Sequence, residues 1–212
     1  MTPPYDAVAA SHALAAADPG MAEVVAAVGP PRLTLRPDET LAALARSVAY
    51  QQLSTKAAAT IHGRFLDAFA DASGVPDADR ILAADDQALR ACGLSRAKVA
   101  ALRDLAGRHA DGRLPTRAEL LGMSDDEATA ALVAVRGVGV WTAQMVLLFN
   151  LGRPDVWPVA DLGVQEGVRI IQRLGERPTA RQMASLGEVY RPWRSVAAWY
   201  AWRAVHRARG EE

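Results

Sequence analysis

A chain of 212 residues, 50% of them apolar, is long enough to bury a sizeable core and far too hydrophobic for disorder. Its 24 basic and 24 acidic residues cancel, and a single cysteine, Cys92, excludes an internal disulfide and any Cys-rich zinc or iron–sulfur centre. The four histidines, His12, His62, His109 and His206, are scattered without metal-ligand spacing. The opening MTPPYDAV has no leader-like pattern, and no run of ~20 apolar residues could span a membrane, so a cytoplasmic, bacterial setting is expected.

In chain order, helical periodicity first appears at 5–17 and 20–28. After Leu33-Thr34-Leu35, the one stretch that looks extended, it resumes at 38–50 and 54–72. Short helices are predicted at 78–83 and 86–92, a longer one at 95–109, and another short one at 117–121, with Gly93 and Gly112 at expected stops. The second half reads as helices at 125–135, 140–150, 161–174, 180–187 and 192–208, punctuated by Gly137, Gly152 and Gly175. Three starts carry S/T-x-x-E/Q, in which two side chains satisfy orphan amides reciprocally: Thr116/Glu119, Ser124/Glu127 and Thr179/Gln182. The turns DGRLPTR (111–117) and GERPT (175–179) are too short to be domain linkers. The pattern predicts an all-α fold of two helical lobes with the active-site cleft between them. One lobe is expected over 38–125, and the other over 1–37 plus 126–212, including the hairpin 132–150.

The densest information lies in 132–161, LVAVRGVGVWTAQMVLLFNLGRPDVWPVAD. Gly137-Val138-Gly139 joins two apolar helices, and glycine there permits backbone conformations that a Cβ would obstruct. The amides of such a turn, with the positive end of the following helix, bind phosphate without side-chain charge. By itself the same turn could equally pack one core helix on another. A Gly/Pro-rich loop then delivers Asp161, which reads either as a helix N-cap or as a placed acid. All but two of the cations are arginine, the exceptions being Lys56 and Lys98. The terminal RPWRSVAAWYAWRAVHRARG interleaves arginine with aromatics, as a nucleic-acid surface or a solvated terminal helix would.

Five segments in order, SVAYQQLSTKAAATI (47–61), LRACGLSRAKVAALRDLA (89–106), LVAVRGVGVWTAQMVLLF (132–149), RPDVWPVADLGV (153–164) and RPWRSVAAWYAWR (191–203), resemble the helix–hairpin–helix (HhH-GPD) DNA glycosylases. The resemblance covers roughly 38–208, and it is nearest to the 3-methyladenine DNA glycosylase II branch in a compact, helical-only form. It implies a monofunctional hydrolase of base excision repair that cuts the N-glycosidic bond of alkylated bases in double-stranded DNA. The chain is expected to act as a monomer without a membrane partner.

The resemblance also assigns roles. Asp161 matches the family's catalytic aspartate, which stabilises positive charge on the sugar as the base departs. Asp155 is a nearby rival on the wrong side of the pattern. Gly137, Val138, Gly139 and Thr142 would meet the DNA backbone. Trp141 stands where strand-cutting relatives place a lysine, so lyase activity is not expected, and its ring would stack on the extruded base. Met145 and Trp202 would complete the pocket, although Met145 replaces an aromatic of larger relatives and leaves the preferred lesion open. Trp157, Trp193, Trp199 and Trp202 could each equally belong to the core. Gln52 and Leu53 match the loop that fills the gap left by a flipped base, while Lys56 and Arg194 would serve phosphates. No cofactor is implied, and the one metal implied is a structural Na+ or K+ on main-chain carbonyls of the hairpin. Two other readings compete: a glycosylase for deaminated or oxidised bases, and a non-catalytic hairpin DNA-binding module.

Overall fold

The computed structural model describes residues 1–211. Among these, α-helices follow one another with no strand pairing beyond one isolated bridge between Ala70 and Pro76. They are α1 (Ala7–Ala17), α2 (Pro19–Val28), α3 (Thr40–Tyr50), α4 (Thr55–Phe69), α5 (Ala78–Ala83), α6 (Asp86–Ala91) and α7 (Arg96–Ala110). After these come α8 (Arg117–Gly122), α9 (Asp125–Val133), α10 (Val140–Val146), α11 (Leu162–Ile171), α12 (Ala180–Leu186) and α13 (Arg194–Arg209). The all-α expectation holds. None of the helices among the described residues is long and apolar enough to cross a membrane.

Two compact units emerge. The first combines Met1–Arg36 with the chain from Leu147 onward, and the second is Pro37–Val146. The C-terminal boundary predicted at 125/126 therefore moves to 146/147, and the hairpin turn belongs with 37–146 instead. The cause is packing. Leu132 and Val138 are buried, and the Cβ of Ala101 on α7 lies 3.3 Å from where a Cβ on Gly137 would sit. These tie the turn to a helix some thirty residues earlier in the chain.

In the first unit α11 and α13 cross at very close range. A Cβ on Gly167 would lie 2.6 Å from Ala201 Cα and closer still to its carbonyl, so only glycine permits this approach. Ala197, Ala198, Ala201 and Ala204 keep α13 slim enough for the crossing, and Met21, Val164, Val168 and Ile171 fill around it. Buried hydroxyls are satisfied: Tyr190 donates to Asp18 at 2.6 Å, and Tyr200 donates to the Gly29 carbonyl at 2.9 Å.

In the second unit Leu44, Val48, Phe65, Ile81, Leu89, Leu102, Leu105 and Leu120 form the core beneath α3, α4, α5 and α7. The three predicted capping boxes are present on α8, α9 and α12, the last in the first unit. Two ends differ from expectation. α4 stops at Phe69 rather than 72, because Asp71 Oδ1 accepts from the Ser73 amide, the Ser73 hydroxyl and the Val75 amide and folds the chain into a turn. α11 stops at Ile171, where Arg173 rather than Gly175 takes the left-handed conformation at φ +52°.

Candidate active site

The loop between α3 and α4 in the second unit carries the predicted wedge residues. Gln52 is exposed with φ +56°, a left-handed backbone that a non-glycine residue adopts at a cost. Leu53 is 40% exposed, too much for a core residue. Ser54 then caps α4, and Lys56 lies exposed in its first turn. Two side chains outside the predicted site hold this loop: the Lys98 ammonium donates to the Ala49 carbonyl at 2.9 Å, and the Gln51 amide donates to the Gly137 carbonyl at 3.0 Å.

The hairpin follows α9. Val135 and Val138 amides close successive turns onto the Leu132 and Val135 carbonyls, and Gly137 takes φ +78°. Gly139 has no such requirement: its φ is not positive, and a Cβ there would meet nothing within 4 Å. Its missing side chain leaves open space before α10, so the backbone argument applies to Gly137 alone. The Arg136 amide donates to Asp104 Oδ2 at 2.8 Å, and the Arg108 guanidinium reaches the same oxygen at 2.8 Å. Burial pushes the Asp104 carboxyl up, but the Arg136 amide, Arg108 and the charge of Arg113 outweigh it and hold the group below the usual carboxylate range.

Trp141 is 45% exposed at the start of α10, and Met145 one turn later is half-buried. Thr142 is only 5% exposed, so its side chain offers little surface to a phosphate. Hairpin carbonyls of Val135, Gly137 and Gly139 accept from the Val138 amide, the Gln51 side chain and the Ala143 amide respectively, and a carbonyl oxygen has two lone pairs. Neutral main-chain oxygens of this kind suit a weakly held monovalent ion. Among the described residues no cluster of three or more His, Cys, Asp or Glu could hold a metal.

The first unit builds the acid. α10 continues as a wider π turn, Leu147–Leu151, from which the loop toward Asp161 departs. That loop is pinned along its length. The Ser195 hydroxyl donates to the Arg153 carbonyl at 2.6 Å and accepts from the Val156 amide at 3.0 Å. The Trp157 indole donates to the Met183 carbonyl at 2.7 Å, which makes Trp157 a core residue at 6% exposure. The Gln165 amide donates to the Val159 carbonyl at 2.8 Å.

Asp161 then N-caps α11. Its Oδ1 accepts from the Val164 amide at 2.8 Å and from the Trp202 indole at 3.0 Å. Two donors on one oxygen fix the plane of the carboxyl group at the positive end of a helix. Trp202 reaches it because Gly163 lies between them: a Cβ there would sit 2.8 Å from Trp202 Cδ1. Phe149 stacks on Trp202 with centroids 5.8 Å apart. Asp161 is thus a helix cap that also holds the Trp202 indole.

Arg194 has a different partner from the one expected. Its Nε donates to Asp155 Oδ1 at 2.6 Å and its Nη2 to Oδ2 at 3.0 Å, leaving it 14% exposed. Arg191 binds the same carboxylate at 2.7 Å. The bidentate clamp engages both oxygens of Asp155 and makes Arg194 a brace for the loop. Gln51, Asp104, Phe149, Gly163, Gln165 and Ser195 were not singled out from the sequence. Phe149, four residues beyond Met145, is the one that helical spacing could have shown.

Known proteins share this fold and sequence. The description "HhH-GPD superfamily base excision DNA repair protein" matches residues 45–192. DNA-3-methyladenine glycosylase 1 of Schizosaccharomyces pombe is 35% identical over 173 residues, spanning 82% of this chain and 75% of that protein. The solved structure of the Schizosaccharomyces pombe 3-methyladenine DNA glycosylase with abasic DNA superposes with a TM-score of 0.82 at 34% identity, covering 92% of this chain and 95% of that one. The crystal structure of the Bacillus halodurans DNA-3-methyladenine glycosidase gives a TM-score of 0.83 at 30% identity, covering 95% and 91%. The chain belongs to the HhH-GPD superfamily of base excision DNA repair proteins.

Proposed function

We propose that this protein is a monofunctional DNA glycosylase that removes alkylated bases of the 3-methyladenine type from duplex DNA and leaves an abasic site. The observation that carries the reading is Asp161, held by two donors on one oxygen at the head of α11. As the C1′–N bond breaks, the base leaves with the electron pair and the sugar acquires oxocarbenium character. A carboxylate fixed beside C1′ stabilises that charge without reorganising during the reaction. Water adds to C1′ and gives up a proton, which completes hydrolysis with no cofactor. A monovalent cation at the hairpin carbonyls would be structural.

In this reading Trp141 stacks on the extruded base, a fitting use for a large ring left 45% exposed. Trp202 combines the donor to Asp161 with a second aromatic face, and half-buried Met145 shapes the pocket. Gln52 or its neighbour Leu53 fills the gap in the stack, and Lys56 meets a phosphate. The amides around Gly137, Val138 and Gly139 hold the backbone. Trp141 offers no amine for a Schiff base, so the strand stays intact.

The test is base release from duplexes each carrying one defined alkylated base, with Asp161→Asn beside the wild type. Asparagine keeps the acceptor oxygen for both donors and caps helices well, so the fold survives while base release falls roughly 100- to 1000-fold. Full activity in Asp161→Asn sinks the catalytic role. No release of any lesion by the wild type favours the non-catalytic hairpin module.

A further inference from the structure

We propose that Gln51 is a positioning residue that locks the wedge loop to the DNA-gripping hairpin, so that grip and insertion work at a fixed offset. The proposal rests on the glycosylase reading above and deepens it. Its geometry lies entirely within 37–146.

The Gln51 side chain bridges 86 residues of sequence to donate to the Gly137 carbonyl at 3.0 Å. That carbonyl belongs to the glycine at φ +78°, the one hairpin residue whose backbone a side chain would strain. The next residue after Gln51 is Gln52, itself left-handed at φ +56°. A left-handed position that only glycine takes without cost and a left-handed non-glycine residue thus stand at the two ends of one short bridge. Gln52 does not keep this backbone by intrinsic preference, and such a residue persists only where surrounding contacts over-determine it.

Helix α7 supplies those contacts from a single face. Lys98, Ala101 and Asp104 recur at i, i+3 and i+6, which lines them up over about 9 Å of helix. Lys98 holds the Ala49 carbonyl ahead of the wedge loop, Ala101 packs against Gly137, and Asp104 takes the Arg136 amide at the hairpin's entrance. Burial pushes the Lys98 ammonium below the usual lysine range. The loop and the hairpin therefore share one rail, and Gln51 closes the frame between them.

Extruding a base demands that a side chain enter the stack while the phosphates are held, and unstacking costs a few kcal/mol. A loop free to shift against the hairpin would spend that energy on its own displacement. Gln51 acts on extrusion and leaves bond cleavage to Asp161.

The experiment compares full-length wild type, Gln51→Ala and Lys98→Met in single-turnover base release. One substrate carries the lesion in a fully paired duplex, the other in a small unpaired bubble where extrusion costs little. Gln51→Ala is expected to slow release from the paired duplex roughly tenfold, the worth of one such hydrogen bond, with less than a twofold change on the bubble. Lys98→Met is expected to follow in the same direction. Equal slowing on both substrates, or no slowing on either, overturns the proposal. Emission of 2-aminopurine placed opposite the lesion reads extrusion without chemistry. If the wild type releases no base, the glycosylase reading fails on its own. Gln51→Ala must still blunt the rise in emission on binding, and an absent or unaltered rise overturns the positioning role.

Discussion

Replacing Gly167 with alanine drives a wedge between the helix that Asp161 caps and the helix that carries Trp202. A Cβ at this position lies 2.6 Å from Ala201 Cα, whereas ordinary contact begins near 3.4 Å, and the obstacle is backbone that cannot rotate away. α11 and α13 have to separate by roughly 1 Å, at the upper end of the ~1–3 kcal/mol that overpacking costs. Alanine's better helix propensity returns about 1 kcal/mol, which leaves a net loss of about 2 kcal/mol. For a chain of this length that lowers Tm by about 4–8 °C. Gly63 in α4 is the matched control, since a Cβ there meets nothing within 4 Å, and Gly63→Ala is expected to raise Tm slightly. The functional cost exceeds the thermal one. Gly163, which admits the Trp202 indole to Asp161, lies one turn before Gly167, and a shift near 1 Å in a reacting group can cost up to about 100-fold in rate. Thermal melts and single-turnover base release well below Tm check both parts. A Gly167→Ala variant that melts at or above the wild type, or keeps full activity, refutes the reasoning.

Asp104→Ala removes the acceptor of the Arg136 amide and the partner of Arg108; a loss of about 1–2 kcal/mol in urea unfolding is expected, together with weaker binding to undamaged duplex. His62 lies half-buried between Tyr50 and Phe65, and burial first, then Arg46, lower its pKa below 6.5 against the opposing pull of Asp38. The unfolded chain takes that proton more readily, so the contribution is complete above the ordinary imidazole pKa and is lost as pH falls through the folded value. The difference in stability between wild type and His62→Gln should therefore shrink on acidification, and a pH-independent difference counts against it. Arg173→Gly relieves the left-handed backbone at φ +52° and gives up only an exposed ion pair with Glu23, so Tm should rise by about 2–4 °C.

The features legible in the sequence are those whose cause is local. Thr116, Ser124 and Thr179 each find their capping partner three residues on, so the helix starts follow from spacing alone. Asp161 stands out because a Gly/Pro-rich loop and a helical run meet there. The misplaced lobe boundary has the opposite origin. Nothing within 126–146 announces that Val138 packs inward, or that Gly137 and Arg136 have their partners at Ala101, Gln51 and Asp104. Arg194 shows the same limit: an arginine beside aromatics reads as a phosphate ligand until Asp155, 39 residues away, takes both sides of its guanidinium. Likewise the end of α11 depends on Arg173 accepting a left-handed turn, which glycine at 175 would lead one to place later.

These pairings also bear on how a chain of zero net charge would grip DNA. Arg103 is engaged with Asp86, Arg108 with Asp104, Arg169 with Glu166 and Arg194 with Asp155, so many of the arginines are spent on carboxylates of their own unit. Such pairs contribute little to stability at the surface, but they remove charge from any footprint on phosphate. Under the proposed reading main-chain amides at the hairpin share the hold with exposed side chains, among them Lys56. Contacts of that kind position a duplex and carry no sequence information. For an enzyme whose target is defined by damage rather than by sequence, discrimination then has to arise after extrusion, on the base itself. A grip that reads no sequence and a recognition step on the extruded base are two halves of the same requirement.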